Sequence, residues 1–171
     1  MLPIMGSAPP VSNRGLELRP AEGSVGTSTL RVLVVDDFEP FRQFISRTLR
    51  NKPELRVICE SSDGAEAVEQ AKRWQPDLIL MDIGLPTLNG LQAATQILQF
   101  SPKSKILFLS QETSLDVVRE ALSLGGVGYI VKSDAGSELL TAVDAILRGT
   151  RYIGSRFSGH DFTGAFETGS F

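Results

Sequence analysis

The sequence predicts an α/β domain, a doubly wound parallel five-stranded sheet in which each strand is followed by a helix, (βα)5. Three observations predict it. Short apolar runs rich in β-branched residues alternate with longer stretches whose apolar residues recur at helical spacing. One of the runs, Leu78–Met81, is unbroken, which suits a strand buried on both faces. The connections are short and built from Gly, Pro, Asn and Asp, which implies right-handed crossovers with helices on both sheet faces.

Residues 1–29 carry Pro3, Pro9, Pro10, Pro20 and several Gly and Ser without any apolar period, and are expected to be a flexible leader. The domain is expected to span 30–149. Leu30–Val35 is the first strand and ends in Asp36-Asp37. A helix follows with Phe41, Phe44, Ile45 and Leu49 inward and Pro40 in its first turn. Leu55–Cys59 is the second strand. Asp63 and Glu66 resemble a capping box for a helix that turns Ala67, Val68, Ala71 and Trp74 inward. Leu78–Met81 is the third strand, running into Asp82 and then loop chemistry at Gly84, Pro86, Asn89 and Gly90. The third helix, from Gly90 to about Ser101, places Leu91, Ala94 and Leu98 on one face.

Lys105–Leu109 is the fourth strand, ending at Ser110. Thr113 and Asp116 look like the cap of a helix that buries Val118, Ala121 and Leu122 and stops at Gly125-Gly126. Val127–Val131 is the fifth strand and ends at Lys132. Ser133-Asp134 is expected to cap the fifth helix, which buries Leu139, Leu140, Val143, Ile146 and Leu147. In residues 150–171, Gly154, Gly159, Gly164 and Gly169 are interspersed with Phe157, Phe162, Phe166 and Phe171. This stretch reads as a short, mobile Gly/Phe tail; the alternative is a motif that packs its phenylalanines on the domain or on a partner. Lone His160 has no second ligand near it in sequence.

The bulk numbers exclude several classes. A net charge of −3 gives no basic field for nucleic acid or an anionic membrane. No apolar run approaches the roughly 18 residues that span a bilayer. The one cysteine, Cys59, rules out an intramolecular disulfide and fits a reducing cytoplasm.

A parallel sheet brings its strand ends to one edge, where open α/β sheets bind ligands. That edge then holds Asp36, Asp37, Asp82, Ser110 and Lys132. Alone, Asp82 reads as a strand terminus; with the others it reads as a site. Two carboxylates at about 4 Å repel by on the order of 4 kcal/mol at an effective dielectric of 20. A hard divalent cation such as Mg2+, held by carboxylates together with phosphate, offsets this. Lys132 adds a point charge suited to a phosphoryl oxygen, and Ser110 a neutral hydrogen bond. Asp82 is then a nucleophile for phosphoryl transfer.

VLVVDD at 32–37, LMDIGLPTLNG at 80–90, LS at 109–110 and GYIVK at 128–132 resemble the receiver domain of two-component response regulators, a flavodoxin/CheY-like fold. The stretch 133–153 looks most like receivers that precede a LuxR-type helix-turn-helix. The resemblance implies that Asp82 is the phospho-acceptor and that Mg2+ is held by Asp37, by Asp36 mainly through water, by Asp82 and by the backbone carbonyl of Gly84. It implies that Ser110 and Lys132 bind the phosphoryl oxygens, and that Tyr129 is an aromatic switch turning inward when Ser110 engages phosphate. Gly84 and Glu112 stand at positions that tune dephosphorylation. The implied partners are a histidine kinase or phosphotransfer protein, an unidentified output protein, and a second copy through the last helices. Phosphorylation and dephosphorylation would be self-catalysed, without turnover of an external substrate. The tail is neutral, so direct DNA binding is not expected from this chain, nor is a membrane partner. The alternatives are an N-terminal fragment of a DNA-binding transcriptional regulator and a phosphate-independent binding module. An aspartyl phosphatase is disfavoured because Asp36-Asp37-Phe38-Glu39 lacks the DxDx pattern.

Overall fold

The computed structural model describes residues 28–169. The leader expected at 1–29 lies almost wholly outside the described residues, as does Phe171. The elements run β1 (Leu30–Val35), α1 (Glu39–Leu49), β2 (Leu55–Ser61), α2 (Gly64–Trp74), β3 (Leu78–Met81), α3 (Gly90–Phe100), β4 (Lys105–Ser110), α4 (Leu115–Ser123), β5 (Gly128–Val131), α5 (Ala135–Leu147) and β6 (Tyr152–Ile153). The sheet order is β2-β1-β3-β4-β5-β6, with every pair parallel.

The five alternating strands and helices form as the sequence predicts, and the pleat sorts their side chains into two cores. On one face Leu33, Val35, Ile79, Met81, Phe108 and Tyr129 pack under α2, α3 and α4. On the other, Val32, Val34, Leu80, Leu107 and Ile130 pack under α1 and α5. Both faces are covered, which is why these strands read as continuous apolar runs.

The sheet has a sixth strand where five were expected. β6 lies in the stretch read as a mobile tail: Tyr152 N–H donates to Val127 O at 3.1 Å and Gly154 N–H to Tyr129 O at 2.8 Å. Two residues are too short to show a period-2 pattern, so the strand was illegible in the sequence. Beyond it, Phe157 and Phe162 are buried in the α2–α3–α4 core, and Phe166 packs partly against it. The alternative of a packed phenylalanine motif is the one the structure displays over these residues.

Local details differ too. Asp63 caps α2 by accepting from Ala65 N–H at 2.8 Å and Glu66 N–H at 3.1 Å, but no capping box closes, because the Glu66 carboxylate takes the Ser61 hydroxyl instead. The box belongs to α3, where Asn89 accepts from Gln92 N–H at 2.9 Å and Gln92 Oε1 accepts from Asn89 N–H at 3.3 Å. The N-cap of α4 is Ser114, without a side-chain bond. Asp134 begins α5 without capping it, its carboxylate being turned to Arg156. Trp74 is 42% exposed, under the Arg73 guanidinium, because Ala67, Val68 and Ala71 already fill the inner face of α2. Leu91 and Leu98 on α3 are only partly buried, the inner face being Ala93, Ala94 and Ile97. Cys59 sits half-buried on β2, where burial pushes its thiol up.

Candidate functional site

Every chemistry-bearing strand end reaches the same edge. Asp36 and Asp37 follow β1, Asp82 follows β3, Ser110 closes β4 and Lys132 follows β5. Register does this: Val35 pairs with Met81, Met81 with Phe108, and Ser110 with Val131. Asp82 N–H donates to Val35 O at 2.8 Å, which anchors the carboxylate to the end of β1. An open cleft above this edge is lined by Asp37, Asp82, Gly84, Ser110, Glu112 and Lys132, among others.

Asp82 is 5% exposed and its oxygens have different partners. Oδ1 accepts from Ile83 N–H at 2.8 Å and Gly84 N–H at 3.4 Å; Oδ2 accepts from Lys132 Nζ at 3.0 Å. Lys132 Nζ also lies 2.6 Å from Asp36 Oδ2. That contact is a close ion pair, which ties the Asp36 carboxylate to the same ammonium that Asp82 engages. Asp36 Oδ1 accepts from Phe38 N–H at 2.9 Å. Burial raises the Asp36 carboxyl above its ordinary range; Lys132 and the Phe38 N–H oppose this, and the charge of Asp82 adds to it. Desolvation pulls the Lys132 ammonium down, but the hydrogen bonds and charges of Asp36 and Asp82 outweigh it and leave the group raised.

Asp36, Asp37 and Asp82 each offer a carboxylate oxygen, and these oxygens lie within 4.8 Å of one another. Three hard oxygen donors at that spacing fit a divalent cation of the Mg2+ type. Lys132 sets one ammonium against the Asp36 and Asp82 carboxylates, and the Arg42 guanidinium donates to the Asp36 carbonyl oxygen at 2.5 Å.

The loop after Asp82 is tightly folded. Gly90 N–H donates to Ile83 O at 2.8 Å, and a Cβ at 90 would stand 1.9 Å from the Asp82 carbonyl oxygen. Only glycine admits so close an approach, so Gly90 fixes the backbone that presents Asp82. Ser110 Oγ accepts from Glu112 N–H at 3.2 Å, and Glu112 O accepts from the Tyr129 hydroxyl at 2.8 Å. Tyr129 is fully buried, and it stands inward in this structure.

All the sequence-predicted residues therefore lie in or against one cleft, with Tyr129 behind it. His160 is exposed and outside it. Sequence reasoning missed three neighbours. Phe38 is 61% exposed at the rim, and the Phe41 ring lies 5.0 Å from Lys132 Nζ. Phe157 meets the Tyr129 ring edge-on at 5.8 Å. The adjacency of Phe38 to Asp37 was a usable signal; nothing in the sequence linked Phe157 to Tyr129.

Chemically, the arrangement offers a partly shielded carboxylate nucleophile, a cation site beside it, an ammonium and a hydroxyl. That is a set suited to receiving a phosphoryl group.

The chain is 34% identical over 129 residues to the transcriptional regulatory protein DegU of Brevibacillus brevis, covering 75% of this chain and 55% of that protein. It is 32% identical to LiaR of Bacillus subtilis, covering 76% of this chain and 62% of that one. It thus spans little more than half the length of these relatives. Among solved structures, a LuxR-family two-component response regulator from Aurantimonas sp. SI85-9A1 superposes with a TM-score of 0.69 at 32% identity, covering 73% of this chain and 89% of that one. The signal receiver domain of NarL from Mycobacterium tuberculosis does so with a TM-score of 0.67 at 30% identity, covering 71% and 98%. The response regulator receiver domain model matches residues 32–144. With its site residues on the strand ends within that match, the chain belongs to the receiver domain family of two-component response regulators.

Proposed function

We propose that this receiver accepts a phosphoryl group on Asp82 from a histidine kinase or phosphotransfer protein and signals by a shift between two conformations. The observation that carries the proposal is the placement of Asp82 Oδ2 beside Lys132, among the Asp36 and Asp37 carboxylates and facing the cleft that Ser110 lines. In the transfer, the P–N bond of the donor phosphohistidine breaks as a P–O bond forms to an Asp82 oxygen, and the imidazole leaves with the electron pair. Lys132 turns from Asp82 Oδ2 to a phosphoryl oxygen, and Ser110 donates to another. The Ile83 and Gly84 N–H groups hold the other carboxylate oxygen and orient the nucleophile. Asp36, Asp37, Asp82 and the Gly84 carbonyl are the groups that would hold Mg2+, which supplies charge neutralisation for the transferring phosphoryl. The added −1.5 to −2 charges make Lys132 and Ser110 the groups drawn inward. Gly84 leaves water access to the acyl phosphate, and Glu112 at the rim tunes its lifetime.

The test is intact mass after incubation of the chain with acetyl phosphate, with and without Mg2+. A magnesium-dependent gain of one phosphoryl group, absent from Asp82→Asn, is expected. Uptake on aspartate by Asp82→Asn would sink the assignment.

A second reading is favoured by the length of the relatives, which extend well beyond the matched region and include proteins named as transcriptional regulators. In it, the same receiver chemistry controls a DNA-binding domain within a longer regulator. The length of the natural reading frame distinguishes the two outputs; the site chemistry is common to both.

A further inference from the structure

The edge of the sheet opposite the cleft carries a surface for which the domain itself has no use. α2 and α3 both end there, and each ends on an aromatic residue, Trp74 and Phe100. Among the described residues three large apolar side chains stand exposed, and these are two of them, Phe100 at 46%. The third, Phe38, belongs to the cleft rim. Neither ring has a place in the core, because Ala71 and Ile97 take the last inward positions of the two helices. A cation covers each ring instead: Lys72 Nζ lies 4.7 Å from the Phe100 ring, and the Arg73 guanidinium 4.7 Å from the Trp74 ring. The Gln75 side chain ties the two helix ends together by donating to Phe100 O at 3.0 Å. The result is one exposed patch of two rings and two cations.

The chain enters the domain beside this patch. Leu30 opens β1 at the same edge, and the Arg31 guanidinium next to it donates to Gln75 O at 3.4 Å. The Arg31 N–H donates to the Asp77 carboxylate at 2.7 Å, which holds the start of β1 there. Residues 1–27, outside both the described residues and the family match at 32–144, are therefore tethered next to Trp74. Residues 22–29, EGSVGTST, have the composition of a Gly/Ser linker, and before them stands Leu16-Glu17-Leu18. Leu18 lies twelve residues before Leu30. A linker of that length averages about 20 Å end to end, enough to cross the ends of two helices packed roughly 8–10 Å apart. Two apolar side chains flanking a carboxylate match two rings flanked by an ammonium and a guanidinium, in both character and charge.

We propose that Leu16-Glu17-Leu18 docks on the Trp74–Phe100 patch, its leucines on the rings and its carboxylate against Lys72 and Arg73, as a tethered cover for a second interaction surface. A short tether holds the segment at about millimolar effective concentration, so a contact with a Kd of about 1 mM is made about half the time. A partner that takes the patch must displace the segment.

The one tryptophan of the chain is Trp74, so indole fluorescence reads this patch alone. Acrylamide quenching is measured on the full chain, as the wild type and as Leu16→Ser/Leu18→Ser, at several protein concentrations. The double variant should raise the quenching constant by about two-fold, the change from half-covered to uncovered, and move the emission to longer wavelength. Phe100→Ala, whose exposed side chain is removed without opening the core, should raise it too, and the leader substitutions should then add little. Equal quenching of the wild type and the double variant overturns the proposal. Protection that is lost on dilution assigns the patch to a second copy of the chain and overturns it as well.

Discussion

At the scale of single residues, the cluster of Asp36, Asp37 and Asp82 makes a specific demand. Mg2+ should raise the melting temperature of the wild type, because a ligand present at ten times its Kd stabilises by about 1.4 kcal/mol. Thermal melts of Asp37→Ala should show much less stabilisation; equal stabilisation would remove the metal assignment. Tyr129 makes a second demand. Burial pushes its phenol up to about 12, with the charges of Glu112 and Asp82 adding and the Ser110 hydroxyl opposing. A tyrosine raised above its unfolded value contributes stability fully present below pH of about 10 and lost as pH rises through about 12. Ultraviolet titration should show this late ionisation, and Tyr129→Phe should remove it. The site residues were legible because each is a polar group terminating an apolar run. The pairing of Lys132 with Asp36 and Asp82 at once was not, since it depends on where a long side chain lies. Nor was the backing of Tyr129 by Phe157, a contact between residues far apart in sequence.

At the scale of elements, strands and helices followed from apolar period, and their caps did not. Three of the expected caps, at Asp63-Glu66, Thr113-Asp116 and Ser133-Asp134, carried suitable residues, yet only Asp63 caps with its side chain. Capping residues have several partners within reach, and tertiary neighbours decide: Ser61 takes Glu66, and Arg156 takes Asp134. The reciprocal box joins Asn89, which read as plain loop chemistry, to Gln92 in the first turn of the third helix. Because that box fixes the start of α3 just beyond the Asp82 loop, Asn89→Ala should cost about 1 kcal/mol. Denaturant unfolding of the variant would check it. A neutral result would mean that Gly90 packing alone sets the helix start.

At the scale of the whole molecule, the two-sided sheet and its functional edge were legible from alternation alone, because parallel strands buried on both faces leave a strong apolar signature. The extent of the folded unit was not. Residues 152–166 carry glycines and polar residues typical of a tail, and only the placement of Phe157 and Phe162 against a core made by other elements shows their role. β6 has one more consequence. Without it, β5 would be the rim of the sheet and would present unpaired backbone groups to any passing strand, the usual route to edge-to-edge aggregation. A two-residue strand fills those positions and, being so short, offers almost no template of its own. At the opposite rim, β2 carries the exposed Arg56 and Glu60, which discourage pairing by charge. The sheet is thus guarded at one margin by a plug and at the other by charge, and any event that frees residues 152–166 exposes the domain to self-association.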